Sequence, residues 1–223
     1  MDEKARSGSG ESVVAQIAAR LRDDIACARL APGQRLVEIE LVREFGVSRG
    51  PLRQALGQLM AEGVVVSERH RGVSVRPMTR DDVRHLYQVR EALEGEAAAL
   101  AAARSGEPAV RRACEDMLRD LRTYDTADYT TELRDHDRFH EAVTEAAGNP
   151  VLTALIRQLR PLIFRAQFRG RLSDARARLS IHEHERIFTA VLSGEPEVAR
   201  DEMRSHIRAS RDTVLSLPDE AFR

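Results

Sequence analysis

The chain has 223 residues, of which 42% are hydrophobic and 32% charged, an ordinary globular composition. Aromatic residues are only 4% and tryptophan is absent, which argues against an all-β sandwich and for aliphatic helix packing. The net charge of −1 excludes a polybasic nucleic-acid coat but leaves room for a local basic site, since residues 1–78 carry 12 basic and 10 acidic groups against 23 and 26 in residues 79–223.

Residues 1–11 are polar and rich in Gly and Ser and are expected to be a disordered tail, with no apolar core for a signal peptide. From Ser12, the apolar residues Val13, Ile17, Leu21 and Ile25 recur at helical spacing and predict a first helix ending near Arg29. Ala31-Pro32-Gly33 stops it, and a second helix is predicted over Glu38–Phe45, with Gly46 just past its end. Ser48 is placed to cap a third helix that tolerates Pro51 in its first turn and turns Leu52, Leu56, Leu59 and Met60 inward. The period then changes: Val64-Val65-Val66, a polar turn from Ser67 to Gly72, and Val73-Ser74-Val75 predict a hairpin. Three helices and a hairpin in residues 12–77 outline a winged helix-turn-helix.

Beyond Thr79, which opens a capping box with Asp82, the pattern is helical to the end. Six helices are predicted, over about 81–104, 108–123, 128–147, 150–169, 174–193 and 196–215, with Pro161 kinking the fourth. The fold expectation is mainly α: an N-terminal winged helix-turn-helix with a small β-hairpin wing, then an all-α six-helix bundle over 79–217. No apolar run approaches the length of a membrane span, and Cys27 and Cys114 share no motif spacing, so a reduced, cytoplasmic protein is expected.

Base reading requires a helix that offers polar side chains to the major groove, and phosphate contacts require cations or N–H donors. With its leucines turned inward, the third helix leaves Arg49, Gly50, Arg53 and Gln54 towards solvent, and Arg49 and Arg53 share a face. The hairpin tip Arg69-His70-Arg71-Gly72 adds cations on a narrow turn. The string Gly46-Val47-Ser48-Arg49-Gly50-Pro51-Leu52-Arg53-Gln54-Ala55-Leu56, followed by Leu59, Glu62-Gly63 and Arg71-Gly72, resembles the DNA-binding domain of the GntR family of bacterial transcription regulators. The resemblance covers about residues 12–76. It implies that Ser48, Arg49, Gly50 and Arg53, with Arg71 and Gly72 in the wing, contact DNA. Many members carry an arginine early in the second helix where this chain has Ile39, and Arg35 and Arg43 are the substitutes at hand.

Six of the seven histidines lie after residue 79. On helical wheels, Leu133, His136, His140, Val143 and Ala147 share a face, as do Ile181, His184, Phe188 and Val191, and Ala199, Met203, His206, Ser210 and Val214. Each imidazole could be a hydrogen-bonded core residue, but four on the apolar faces of three helices suit metal coordination in a helical core. Phe139-His140, Ala146-Ala147-Gly148-Asn149-Pro150, Glu183-His184 with Ile187, and Met203 with His206 are similar to the FCD effector-binding domain of the FadR subfamily, closest to its shorter, VanR-like branch. Many members bind a divalent metal with three His and an Asp four residues before the first. His140, His184 and His206 match the three, and the Asp position is His136, so the site is four-His, recruits Asp137, or holds metal otherwise; His136 is preferred because Asp137 lies about 100° off the ligand face. Nitrogen-rich ligation suits Zn²⁺ or Ni²⁺.

Arg90 lies on the apolar stripe Val83, Leu86, Leu93, Ala97 and Leu100, so it needs a buried anion: either Glu94 or a carboxylate effector, for which Asn149 is a further polar contact. The resulting expectation is a homodimeric regulator, in the sense of a repressor, of double-stranded operator DNA, responsive to a small carboxylate. The alternatives are a metal-free regulator with a larger ligand such as an acyl-CoA, and a helical metalloenzyme. Against the enzyme, His182-Glu183-His184-Glu185-Arg186 lacks the His-Glu-x-x-His spacing, and there is no paired Glu-x-x-His for two irons.

Overall fold

The computed structural model describes residues 12–26, 29–68, 72–122, 129–159 and 174–222, with side chains left aside at 26, 68, 122, 129–137, 174, 175 and 177. Two compact units, Met1–Pro77 and Met78–Arg223, divide the chain.

In the first unit, α1 (Val13–Ala26), α2 (Glu38–Phe45) and α3 (Arg49–Ala61) are joined to strands β1 (Arg35–Leu36), β2 (Val65–Glu68) and β3 (Gly72–Val75). Ile17, Leu21 and Ile25 of α1 bury against Leu52, Leu56 and Leu59 of α3, as the spacing predicts. Met60 departs from that expectation: it is 38% exposed, because it lies round the helix from the leucine stripe. The turn between α2 and α3 needs Gly46, whose φ of 62° lets its N–H reach the carbonyl of Val42 and end α2 sharply. The wing is larger than a hairpin. Two residues of β1 pair with β3, Arg35 opposite Ser74 and Leu36 opposite Val73, giving a three-stranded antiparallel sheet in the order β1-β3-β2. The hairpin tip, with Arg71, and the tail over residues 1–11 lie outside the described residues.

The second unit is helical: α4 (Arg80–Ala103), α5 (Pro108–Arg122), α6 (Tyr129–Ala146), α7 (Pro150–Leu159), α8 (Asp174–Ser193) and α9 (Pro196–Leu215). Thr79 and Asp82 form the capping box that starts α4: each side chain accepts the other's backbone N–H. Helix α4 is the spine of the unit, packing along α9 and touching α6, α7 and α8. Two features allow that. Ala97, Ala98, Ala99, Ala101 and Ala102 are at most 3% exposed, and Gly95 lies so close to α9 that a Cβ there would stand 2.9 Å from Arg204 Cγ. A core of Ala97, Ala147, Leu152 and Ile156 joins α4 to α7 and the end of α6. Pro161 and the expected kink lie outside the described residues. No helix among the described residues is long and apolar enough to cross a membrane.

Candidate metal centre and nucleic-acid interface

On the first unit, α3 presents Arg49, Gly50, Arg53 and Gln54 to solvent, all exposed, over a floor of buried Leu52, Ala55, Leu56 and Leu59. Ser48 stands at the N-cap with extended backbone, but its side chain makes no capping bond, so the expected cap is absent while the residue keeps its exposed place beside Arg49. Arg53 is held by Glu38 of α2, Nε to Oε2 at 3.0 Å. Arg35 and Gly72 are exposed neighbours on adjacent strands: a Cβ on Gly72 would lie 3.6 Å from Arg35 Nε. Ile39 is half exposed on α2, and Arg43 is exposed on the same helix.

In the second unit three helices bring His140 (α6), His184 (α8) and His206 (α9) together. They are 6%, 2% and 1% exposed, and one ring nitrogen of each lies within 4.8 Å of the others. The Nε2 atoms of His184 and His206 are 3.4 Å apart, about the separation that two imidazoles take on one tetrahedral ion with bonds of about 2.0–2.1 Å. Phe139 stacks on His184 and meets His140, Phe188 and His206 edge-on. The donor set, its burial and its spacing fit a divalent transition metal. The side chains of His136 and Asp137 lie outside the described ones, while His182 is exposed and contacts Glu185.

Two buried carboxylates flank the triad. Glu94 of α4 accepts from Arg90 Nε at 2.7 Å through Oε1, and its Oε2 is 2.5 Å from His140 Nδ1. Glu183 accepts two bonds from Arg176, at 2.9 and 2.8 Å, and its Oε2 is 2.7 Å from His206 Nδ1. Burial alone would raise the Glu94 carboxyl, but Arg90 and His140 outweigh it and hold the group well below the usual carboxylate range. Glu183 is likewise brought down to about 2, with His206 and Arg176 overcoming its desolvation. Desolvation lowers His206 to about 4, only partly opposed by Glu183. Near pH 7 His206 is therefore neutral beside an ionised Glu183, the protonation state a metal ligand requires.

The two residues expected to contact an effector have partners within the fold. Arg90 is 5% exposed and takes Glu94, the nearer of its two expected partners. Asn149 is exposed, and its side-chain oxygen caps α7 by accepting from the N–H groups of Val151 and Leu152, so a local backbone need accounts for it. The carboxylate partners of His140 and His206 are absent from the sequence expectations. Glu183 carries one usable signal: it lies two helical turns after Arg176, so the two share a face.

Residues 13–75 match the gntR family of bacterial regulatory proteins, and residues 85–209 match the FCD domain. The chain belongs to the GntR family and carries an FCD domain behind its DNA-binding unit. A probable D-xylose utilization operon transcriptional repressor of Paenarthrobacter nicotinovorans is 30% identical over 220 residues, 94% of this chain and 92% of the relative. The transcriptional repressor GlaR of Escherichia coli is 28% identical over 195 residues, 84% of this chain and 89% of that one. Among solved structures, E. coli McbR/YncC has the same fold, with a TM-score of 0.75 at 19% identity over 92% of this chain and 98% of its own. A putative GntR regulator from Rhodococcus sp. RHA1 also scores 0.75, at 22% identity, over 93% and 100%. The chain is thus a DNA-binding transcription regulator and not an enzyme. Regulators of this family bind operator DNA and are typically dimers. Its buried histidine triad lies in a domain type that often binds metal.

Proposed function

We propose that the chain is a cytoplasmic, homodimeric repressor whose operator affinity is set by a small organic acid bound at a metal in the helical unit. The observation that carries this reading is the convergence of His140, His184 and His206, buried and within 4.8 Å through their ring nitrogens. His136, four residues before His140, is the fourth ligand by position, with Asp137 as the alternative. An all-nitrogen set favours Zn²⁺ or Ni²⁺, and such an ion supplies a Lewis-acidic charge that takes a carboxylate oxygen.

The surroundings favour an anion there. Glu94 is offset by Arg90 and Glu183 by Arg176, so neither carboxylate is left over to balance a dication. Arg90 serves the site through Glu94, and Asn149 serves α7. On the first unit, Arg49, Gly50 and Arg53 with Ser48 enter the major groove, and Arg35, Arg71 and Gly72 contact the flanking backbone or minor groove. Two copies present paired reading helices to an inverted repeat about one turn apart. Effector binding shifts the equilibrium between two arrangements of those heads and weakens operator binding.

The test is operator affinity of the full chain in three states: metal-free, Zn²⁺-loaded, and Zn²⁺-loaded with a panel of small hydroxy- and dicarboxylates. A carboxylate effect that appears only with metal is expected. The same effect in the metal-free protein would contradict the reading.

A further inference from the structure

We infer that Glu94 and Glu183 are positioning residues for the histidine site, each fixing the tautomer of one imidazole and each held by its own arginine. The inference rests on the metal reading above and concerns residues outside the ligand set.

The order of groups is the same twice, with a formed hydrogen bond between Glu183 and His206 and a close contact, outside hydrogen-bond geometry, between Glu94 and His140. In each case an arginine, a carboxylate and an imidazole stand in line: Arg90, Glu94 and His140, and Arg176, Glu183 and His206. Both carboxylates are at most 6% exposed and both imidazoles at most 6%. An ionised carboxylate only accepts, so the imidazole nitrogen facing it must carry the proton. That nitrogen is Nδ1 in both rings, at 2.5 Å in one and 2.7 Å in the other. Nε2 is then the unprotonated, metal-competent nitrogen of both rings, as carboxylate–histidine pairs behind metal ligands arrange it. His184 is oriented by other means, its ring lying against the face of Phe139.

Satisfying a buried arginine alone requires a carboxylate but not a histidine. Here the carboxylate of each pair also reaches Nδ1 of a triad member, and each reaches it from a different helix. Glu94 on α4 serves His140 on α6, and Glu183 on α8 serves His206 on α9. The two chains therefore tie the direction of the ligand lone pairs to the packing of four helices.

Glutamine variants separate the roles. Gln has one oxygen, so in Glu94→Gln the oxygen kept by Arg90 leaves an NH₂ group against His140 Nδ1 and moves the proton to Nε2. The experiment records ¹H–¹⁵N long-range spectra of the metal-free full chain labelled at histidine, with His140 and His206 assigned by single His→Gln variants, and measures Zn²⁺ affinity against a competing chelator. The wild type is expected to hold both rings protonated at Nδ1. Glu94→Gln and Glu183→Gln are expected to disturb the tautomer of His140 and His206 respectively and to weaken Zn²⁺ binding about 10–100-fold. Unchanged tautomers with Zn²⁺ affinities within twofold of wild type would overturn the inference. Should the variants fail to fold, the wild-type spectrum decides, since a proton on Nε2 of His140 or His206 also overturns it. A wild type that takes up no Zn²⁺ overturns the metal reading and this inference with it, whereas Zn²⁺ binding indifferent to both glutamates overturns the positioning role alone.

Discussion

Phe139 lies flat on His184, with ring centroids 3.7 Å apart and planes 9° from parallel. Phe139 is fully buried and adjacent in sequence to His140, so one residue of α6 supplies the stacking face for one imidazole of the triad while its neighbour supplies another. Replacing Phe139 with Leu keeps an apolar side chain but removes the ring face. The unit is expected to stay folded and to lose about 0.5–1.5 kcal/mol of His184 orientation, a few-fold to about tenfold in metal affinity. Zn²⁺ titration of the variant checks this, and an affinity equal to wild type would show that the stack does not orient His184.

The metal-free protein is expected to lose stability on acidification, first through His206. Its folded pKa of about 4 lies below the ordinary histidine value, so between about pH 6.5 and 4 the unfolded chain binds a proton that the folded one does not. Stability therefore falls as pH falls through that window. Glu183, at about 2 when folded, adds a loss of the same sign from about pH 4.5 downward. Thermal melts of metal-free protein from pH 7.5 to 4.5 are expected to show Tm falling, with a shallower slope for His206→Gln. A flat Tm, or the same slope in the variant, would contradict the assignment.

Gly95 of α4 lies directly against the Arg204 side chain of α9. A Cβ there would already stand 2.9 Å from Arg204 Cγ, so Gly95→Leu must force the helices apart or displace Arg204. Overpacking of this kind costs about 1–3 kcal/mol. A lower Tm with unchanged behaviour of the isolated DNA contacts is expected, and an undiminished Tm would mean the helix pair adapts freely.

Arg49 and Arg53 are the exposed cations of α3, and Arg53 is aligned by Glu38. Arg49→Ala and Arg53→Ala are each expected to weaken operator binding by about 1–3 kcal/mol, or to lower the salt dependence by about one ion where the contact is to phosphate. Glu38→Gln removes a nearby negative charge whose exposed ion pair is worth at most about 1 kcal/mol to the fold, so operator binding is expected to tighten while Tm hardly moves. Anisotropy titrations at two salt concentrations distinguish these cases.

Much of this was legible in the chain. Helical spacing of Ile17, Leu21 and Ile25, the glycine at 46 and the Thr79–Asp82 capping box mark elements that local chemistry alone defines, and the structure keeps them. The apolar faces of α6, α8 and α9 carried three histidines inward for the same reason. What escaped was set between elements. Strand β1 is two residues long and exists only because β3 pairs with it. Glu94 reaches His140 across 46 positions and Glu183 reaches His206 across 23, so no periodicity along one helix announces either contact. Asn149 carried an ambiguous signal, because a polar residue before Pro150 serves a helix start as readily as a ligand.

The central claim is tested most directly by the metal content of the full chain after demetallation and reloading with Zn²⁺. One tightly held ion per chain is expected in the wild type, with none retained when His140, His184 and His206 are together replaced by Gln. No stoichiometric uptake by the wild type, or undiminished uptake by the triple variant, would contradict a metal centre built on this triad.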